Sequence, residues 1–146
     1  MPSQEVFDAM EEENWSDVKE IVAALEKEEF KQPSRETGNT FLIEAAILGK
    51  DDIVDLLLYC GAYIEAINYE ECSPLIISAS SGQYEIVALL CQRGTNLEAL
   101  DNGGRTALYR AARNGYDVVV IKIFLDAGAN PEIQNLFGCT SLHIAA

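Results

Sequence analysis

A single histidine, His143, stands in a chain of 146 residues, so any nucleophile that needs an imidazole base, and any zinc site that needs a second histidine, has almost nothing to work with. The four cysteines, Cys60, Cys72, Cys91 and Cys139, lie far apart with no CxxC pair. Reduced structural thiols fit that spacing better than a metal cluster, although Cys72 and Cys139 fall at expected loop positions open to surface reactivity. Basic residues are also scarce: 10 against 24 acidic ones give a formal charge of −14, which repels nucleic acid and anionic lipid. No apolar run is long enough to span a bilayer, and the N-terminus MPSQEVFDAMEEEN is acidic where a targeting signal would be basic. These features imply a soluble intracellular protein, cytoplasmic with the nucleus also open to it, in which the sequon Asn14-Trp15-Ser16 has no compartment for use. No glycine-rich phosphate loop is present, since Asn102-Gly103-Gly104 reads as a turn, and the carboxylates do not sit in apolar patterns that would raise a pKa. The expectation is a chain that is not an enzyme and holds no cofactor or metal.

What the sequence does have is repetition. Gly49, Gly82 and Gly115 are 33 residues apart, and Leu42, Leu75, Leu108 and Leu142 keep the same interval to within one residue. The small pairs Ala45-Ala46, Ser78-Ala79, Ala111-Ala112 and Ala145-Ala146 fall at one phase, where they would let neighbouring helix backbones approach closely. A hydroxyl at Thr40, Ser73, Thr106 or Thr140 precedes each apolar run and is placed to cap a helix; Pro74 takes the first helical position after Ser73. A second helix follows in each unit, over DDIVDLLLYCG, YEIVALLCQRG and DVVVIKIFLDAG, ending at Gly61, Gly94 and Gly128. The connecting pieces carry Asn68, Asp101 and Asn135, which favour a turn by bonding their own backbone. Two short helices and a loop cannot bury their own apolar faces, so the units are expected to stack.

The recurring Thr/Ser-x-Leu start, small pair, internal glycine and Gly-Ala/Thr ending resemble the ankyrin repeat over about residues 38–146. The resemblance implies an all-α ankyrin-repeat solenoid of helix-turn-helix units with hairpin-like loops. We expect an N-terminal capping helix pair and linker at 1–36, repeats at 37–70, 71–103 and 104–137, and the start of a truncated fourth at 138–146. The capping pair is expected to bury Phe7, Ala9 and Met10 on one helix and Val18, Ile21, Val22 and Leu25 on the other, with Asp17 and Glu20 making one face polar. Three departures carry consequences. The family's histidine appears only as His143, with Ile43, Ile76 and Tyr109 in earlier copies, which removes inter-repeat hydrogen bonding through that side chain. Glu71 replaces a loop glycine, so a distorted turn is expected there, and the surplus residue of the third copy is assigned to the Tyr116-Asp117 turn rather than to a helical bulge.

In the ankyrin family, hairpin tips and the exposed side of each first helix form a concave face that takes protein ligands. By phase that face carries Ile47, Leu48, Tyr69, Glu70 and Cys72; Ser80, Ser81, Asn102 and Arg105; and Arg110, Arg113, Asn114, Leu136 and Phe137. Tyr69, Leu136 and Phe137 are tip residues of the kind that anchor interfaces, unless they fold over the neighbouring tip. Arg105, Arg110 and Arg113 form either a site for an acidic ligand or a set paired with Asp101, Asp117 or nearby backbone. The expected function is non-catalytic binding of another protein, within a larger scaffold or adaptor. The alternatives are a regulatory, autoinhibitory module of a multidomain enzyme or channel, or a small stand-alone enzyme inhibitor. Ending at LHIAA without a polar cap, the chain is expected to be a piece of a longer protein; were it complete, its apolar C-terminal edge would invite association.

Overall fold

In a computed structural model, which describes residues 2–25, 28–115, 118–132 and 138, each described helix-start hydroxyl does what its position predicts. Thr40 Oγ1 accepts from the Ile43 amide at 3.4 Å, Ser73 Oγ from Ile76 at 3.3 Å and Thr106 Oγ1 from Tyr109 at 3.2 Å. All three residues are buried, so these amides have no water to turn to if the hydroxyl is lost. The caps open helices α3 (Phe41–Ile47), α5 (Pro74–Ser80) and α7 (Ala107–Arg113). Each is followed by a longer partner: α4 (Asp51–Tyr59), α6 (Tyr84–Gln92) and α8 (Val118–Asp126). A further pair, α1 (Pro2–Glu11) and α2 (Trp15–Ala24), precedes them, and among the described residues no strand occurs.

Helices of 7 and 9 residues are too short to hold their shape in water alone. Packing supplies what length does not. The first helices α1, α3, α5 and α7 lie side by side in one layer, α2, α4, α6 and α8 form a second, and each helix packs on its own partner across the layers. Ala45, Ala46, Ser78, Ala79 and Ala111 are fully buried on first helices that pack against one another, while Ala112 is half-buried. Behind them runs a continuous apolar column in which Leu42, Leu75 and Leu108 alternate with Ile53, Ile86 and Val120 and with Leu57, Leu90 and Phe124. Ile43, Ile76 and Tyr109 fill the family's histidine positions as buried side chains.

Helix α8 has nine described residues, as α4 and α6 have, and the Tyr116-Asp117 turn to which the surplus residue of the third copy is assigned lies outside the described residues. So do Asn135, Cys139, Thr140, Leu142, His143, Ala145 and Ala146.

Polar contacts lock neighbouring units in register. Glu65 Oε1 accepts from Thr95 Oγ1 at 2.8 Å and from the Asn96 amide at 2.7 Å, and Glu98 Oε1 accepts from the Asn130 amide at 2.7 Å one repeat later. On the outer layer Lys19 pairs with Asp52 at 2.7 Å and Arg93 with Asp55. The Lys19 hydrogen bond holds the Asp52 carboxyl below its usual range, but these exposed pairs each contribute at most about 1 kcal/mol.

The N-terminal pair buries Val6, Ala9, Met10, Val18 and Val22, while Phe7 packs its ring against Phe41 at 4.6 Å and Ile21 and Leu25 are half-buried. Asn14 caps α2, and Lys50 sits over the Trp15 ring at 4.6 Å. Helix α2 stops at Ala24, short of the full apolar pattern. Phe30, on a single 3-10 turn at Glu29–Lys31, is nevertheless buried against the same core.

The turn at Glu71 is not distorted, contrary to the sequence expectation. Glu71 takes φ 59°, in the left-handed region, as Gly104 does at 68°. Its loop keeps the hydrogen bonds of the glycine version: the Glu71 amide donates to Asn68 O at 3.0 Å, and the Gly104 amide to Asp101 O at 2.9 Å. The backbone absorbs the penalty of a side chain there and the turn keeps its shape. Replacement Glu71→Gly is therefore expected to raise unfolding free energy by about 0.5–1 kcal/mol, whereas Gly104→Ala lowers it by about 1 kcal/mol, both read from the urea midpoint at unchanged slope.

Candidate functional site

The hairpin loops build the face that the sequence pointed to. Asn68 Oδ1 accepts from the Glu70 and Cys72 amides at 3.0 Å each; Asp101 Oδ1 accepts from Gly103 at 2.9 Å and from Arg105 at 3.0 Å. These are the backbone bonds expected of Asn and Asp in turns. Successive tips then join: the Tyr69 amide donates to Thr37 O at 3.2 Å and the Asn102 amide to Glu70 O at 3.1 Å. The tips thus form a hydrogen-bonded ribbon.

Two recesses border the first of these tips. One, of about 370 Å³, is walled by Ile47, Ile77, Tyr69 and Glu70, which unites residues from the first and second repeats. The other, of about 360 Å³, adjoins it through Glu36 and Thr37 and reaches Phe7 and Met10 on α1 as well as Leu48. Ile47 and Leu48 remain 37% and 39% exposed at the end of α3. The participation of Phe7, Met10, Glu36, Glu44 and Ile77 was missed from sequence. Residues 1–36 read there as a shield for the core, and only the helical phase of Met10 and Glu44 hints that α1 also borders the face.

Several expected surface residues turn out to hold the structure. Tyr69 is 65% exposed, yet its hydroxyl donates to Arg35 O at 3.3 Å, and its ring crosses Gly38 so closely that a Cβ there would stand 2.6 Å from the ring. It folds over the preceding tip. Asn114 Nδ2 donates to Ser80 O at 2.9 Å, tying the end of α7 to the end of α5.

The arginines divide. Asp101, with its side chain fully buried, pairs through Oδ2 with Arg105 Nε at 2.9 Å and Arg110 Nε at 3.5 Å, and Arg110 also reaches Cys72 Sγ at 3.7 Å. Two of the three cations are therefore engaged internally, as the pairing alternative required. Arg113 is exposed and forms no ion pair among the described residues. Leu136 and Phe137 lie outside the described residues, while Glu70, Ser81 and Asn102 are exposed and Ser80 is half-buried.

Cys72 is corrected from a candidate surface thiol to a buried one, 1% exposed. Burial pushes its pKa upward, with the Arg110 guanidinium pulling the other way, and burial likewise raises Cys91. Neither is a reactive thiolate at neutral pH. Among the described residues there is no group of three or more metal-binding side chains, and no helix is long and apolar enough to cross a membrane.

A family profile described as ankyrin repeats in three copies matches residues 42–135. Over 110 residues the chain is 31% identical to transient receptor potential cation channel subfamily A member 1 of Homo sapiens, covering 73% of this chain and 10% of that protein. Identity is 34% over 109 residues with ankyrin repeat and KH domain-containing protein mask-1 of Caenorhabditis elegans, 73% of this chain and 4% of the relative. With the B-cell lymphoma 3 protein homolog of Mus musculus it is 33% over 84 residues, 57% of this chain and 18% of the relative. The chain thus spans less than a fifth of the length of each.

Internal engagement of Asp101 has a measurable consequence. Asp101→Ala removes the acceptor of two backbone amides and leaves two guanidinium groups without their counter-charge, so it is expected to cost about 3 kcal/mol of stability in urea unfolding. Arg113→Ala, with nothing internal to lose, is expected to stay within about 0.5 kcal/mol of the parent.

Proposed function

The chain belongs to the ankyrin-repeat family, and from that premise we propose that it is a non-catalytic protein-binding module that holds its partner on the concave face, under the hairpin tips. Ankyrin repeats are in general protein–protein interaction modules. What supports this face over the rest of the surface is one observation: it is recessed, apolar at Ile47, Leu48 and Ile77, and bordered by charged side chains that the fold does not consume. Recesses with a few apolar side chains and a polar margin are where partners find both area and orientation. The module acts as part of a larger cytoplasmic scaffold or adaptor.

A second reading has an observation of its own behind it. The similarity to a cation channel over 73% of this chain favours a module that regulates a joined channel by intramolecular contact. Both readings use the same face and differ in whether the ligand is a separate protein.

Affinity capture with quantitative mass spectrometry tests the shared claim. The double variant Ile47→Arg with Arg113→Glu is expected to reduce co-purifying partners by about tenfold relative to the parent chain, an effect of about 1.4 kcal/mol. Tyr59→Ser, a change at an 86% exposed residue on the outer layer, is expected to leave them in place. Partners lost with the outer-layer variant but kept with the double variant would move the binding surface to the other side of the molecule.

A further inference from the structure

Charge is distributed unevenly around the two recesses, and the unevenness names the chemistry of an occupant. Phe7, Met10 and Leu48 form the apolar part of one recess, and Ile47, Ile77 and Tyr69 that of the other. Around them stand the carboxylates of Glu11, Glu13, Glu36, Glu44 and Glu70, against Arg35 as the one cation among the described lining residues. Of these acids only Glu44 spends an oxygen on the fold, accepting from Asn39 Nδ2 at 2.8 Å; Glu11, Glu13, Glu36 and Glu70 are exposed with their carboxylates unpaired among the described residues.

Two further observations point the same way. Glu13 sits at φ 55°, one of two non-glycine residues with positive φ among the described residues, in the turn between α1 and α2. Glycine or asparagine would take that conformation more cheaply, so strain is tolerated where a carboxylate lines the recess. The recesses are also narrow. At about 360 and 370 Å³ they match pockets that seat a few side chains, and a helix of about 10–12 Å diameter does not fit inside either.

We propose that the groove formed by α1, the Glu36 tip and the ends of α3 and α5 binds an extended, lysine- or arginine-rich segment of a partner protein, whose apolar side chains enter the two recesses. This rests on the protein-binding reading above and specifies its ligand. An extended segment sends alternate side chains to opposite faces, so leucine-like residues occupy the recesses while the cationic ones between them reach the acidic rim. The field of a chain carrying −14 formal charge steers such a segment inward, and the carboxylates around the groove fix where it lands.

The test uses the full chain and three labelled decapeptides, alternating Lys-Leu, Lys-Ser and Glu-Leu, followed by fluorescence anisotropy at about 0.15 M ionic strength. Lys-Leu is expected to bind at least about tenfold more tightly than Lys-Ser, which shares its charge, and Glu-Leu is expected not to bind. The variant Glu11→Lys with Glu36→Lys is expected to weaken Lys-Leu by about tenfold. The control Glu20→Lys with Asp51→Lys changes net charge equally on exposed residues away from the groove and is expected to shift it by less than about twofold. Circular dichroism confirms that each variant remains folded. Equal losses in both double variants, or equal binding of Lys-Leu and Lys-Ser, would reduce the effect to diffuse charge and overturn the assignment. If Lys-Leu fails while Ile47→Arg with Arg113→Glu still reduces partner capture by about tenfold, the concave-face reading survives and the basic-segment inference alone falls.

Discussion

Stacking is the constraint on which everything else in this molecule depends. No unit of two helices of 7 and 9 residues can stand in water alone, and each is closed only by the next. The contact is made twice over. Small residues such as Ala46 and Ala79 allow the first helices to touch, and carboxylates such as Glu65 and Glu98 reach into the next loop to accept its backbone amide. The apolar column sets that units associate, while the amide bonds set by how much one is displaced along its neighbour. Surface residues 33 apart are thereby brought into a row.

Much of this was legible because it is local. A hydroxyl followed by an apolar run caps a helix within three residues, so Thr40, Ser73 and Thr106 announced their helices without reference to distant contacts. Asn68 and Asp101 were equally readable as turns. What escaped depended on a partner one repeat away. Tyr69 was open between a free anchor and a fold over the neighbouring tip, and Gly38, from the preceding tip, lies beneath its ring. Cys72 sits in a loop by every local sign, yet it is buried within the core, with Arg110, 38 residues on, against its sulfur. Phe30 lies past the end of any helix that the 3.6-residue pattern supports, and only the core it enters explains it. Glu71 failed in a different way: the expected distortion assumed that a side chain forbids the left-handed conformation, whereas a stack held on both sides can impose it.

The candidate site was legible by phase but not by extent. Counting from the repeat put Ile47, Leu48 and Glu70 on one face, and all three line the recesses there, since period decides which side of a stacked unit a residue occupies. It did not place Phe7 or Met10 there, because α1 and α2 depart from the repeat sequence and their relation to the tips arises from three-dimensional packing. The same helix pair that covers the core at one end also lengthens the groove, so its acidic turn at Glu11 and Glu13 has two environments, solvent and recess.

The residue that closes the turn differs between the first two tips, and its neighbours differ with it. Asn68 both accepts and donates: its Nδ2 bonds Asn39 Oδ1 at 2.9 Å, and Asn39 in turn donates to Glu44, so the first repeat can carry an acid on its first helix. Asp101, at the same phase as Asn68, has no proton to give. A buried carboxylate needs counter-charge, and arginines occupy 105 and 110 where the preceding repeat has Cys72 and Ile77. The position on the first helix that faces the tips therefore runs Glu44, Ile77, Arg110, from acidic through apolar to basic, on an almost unchanged backbone.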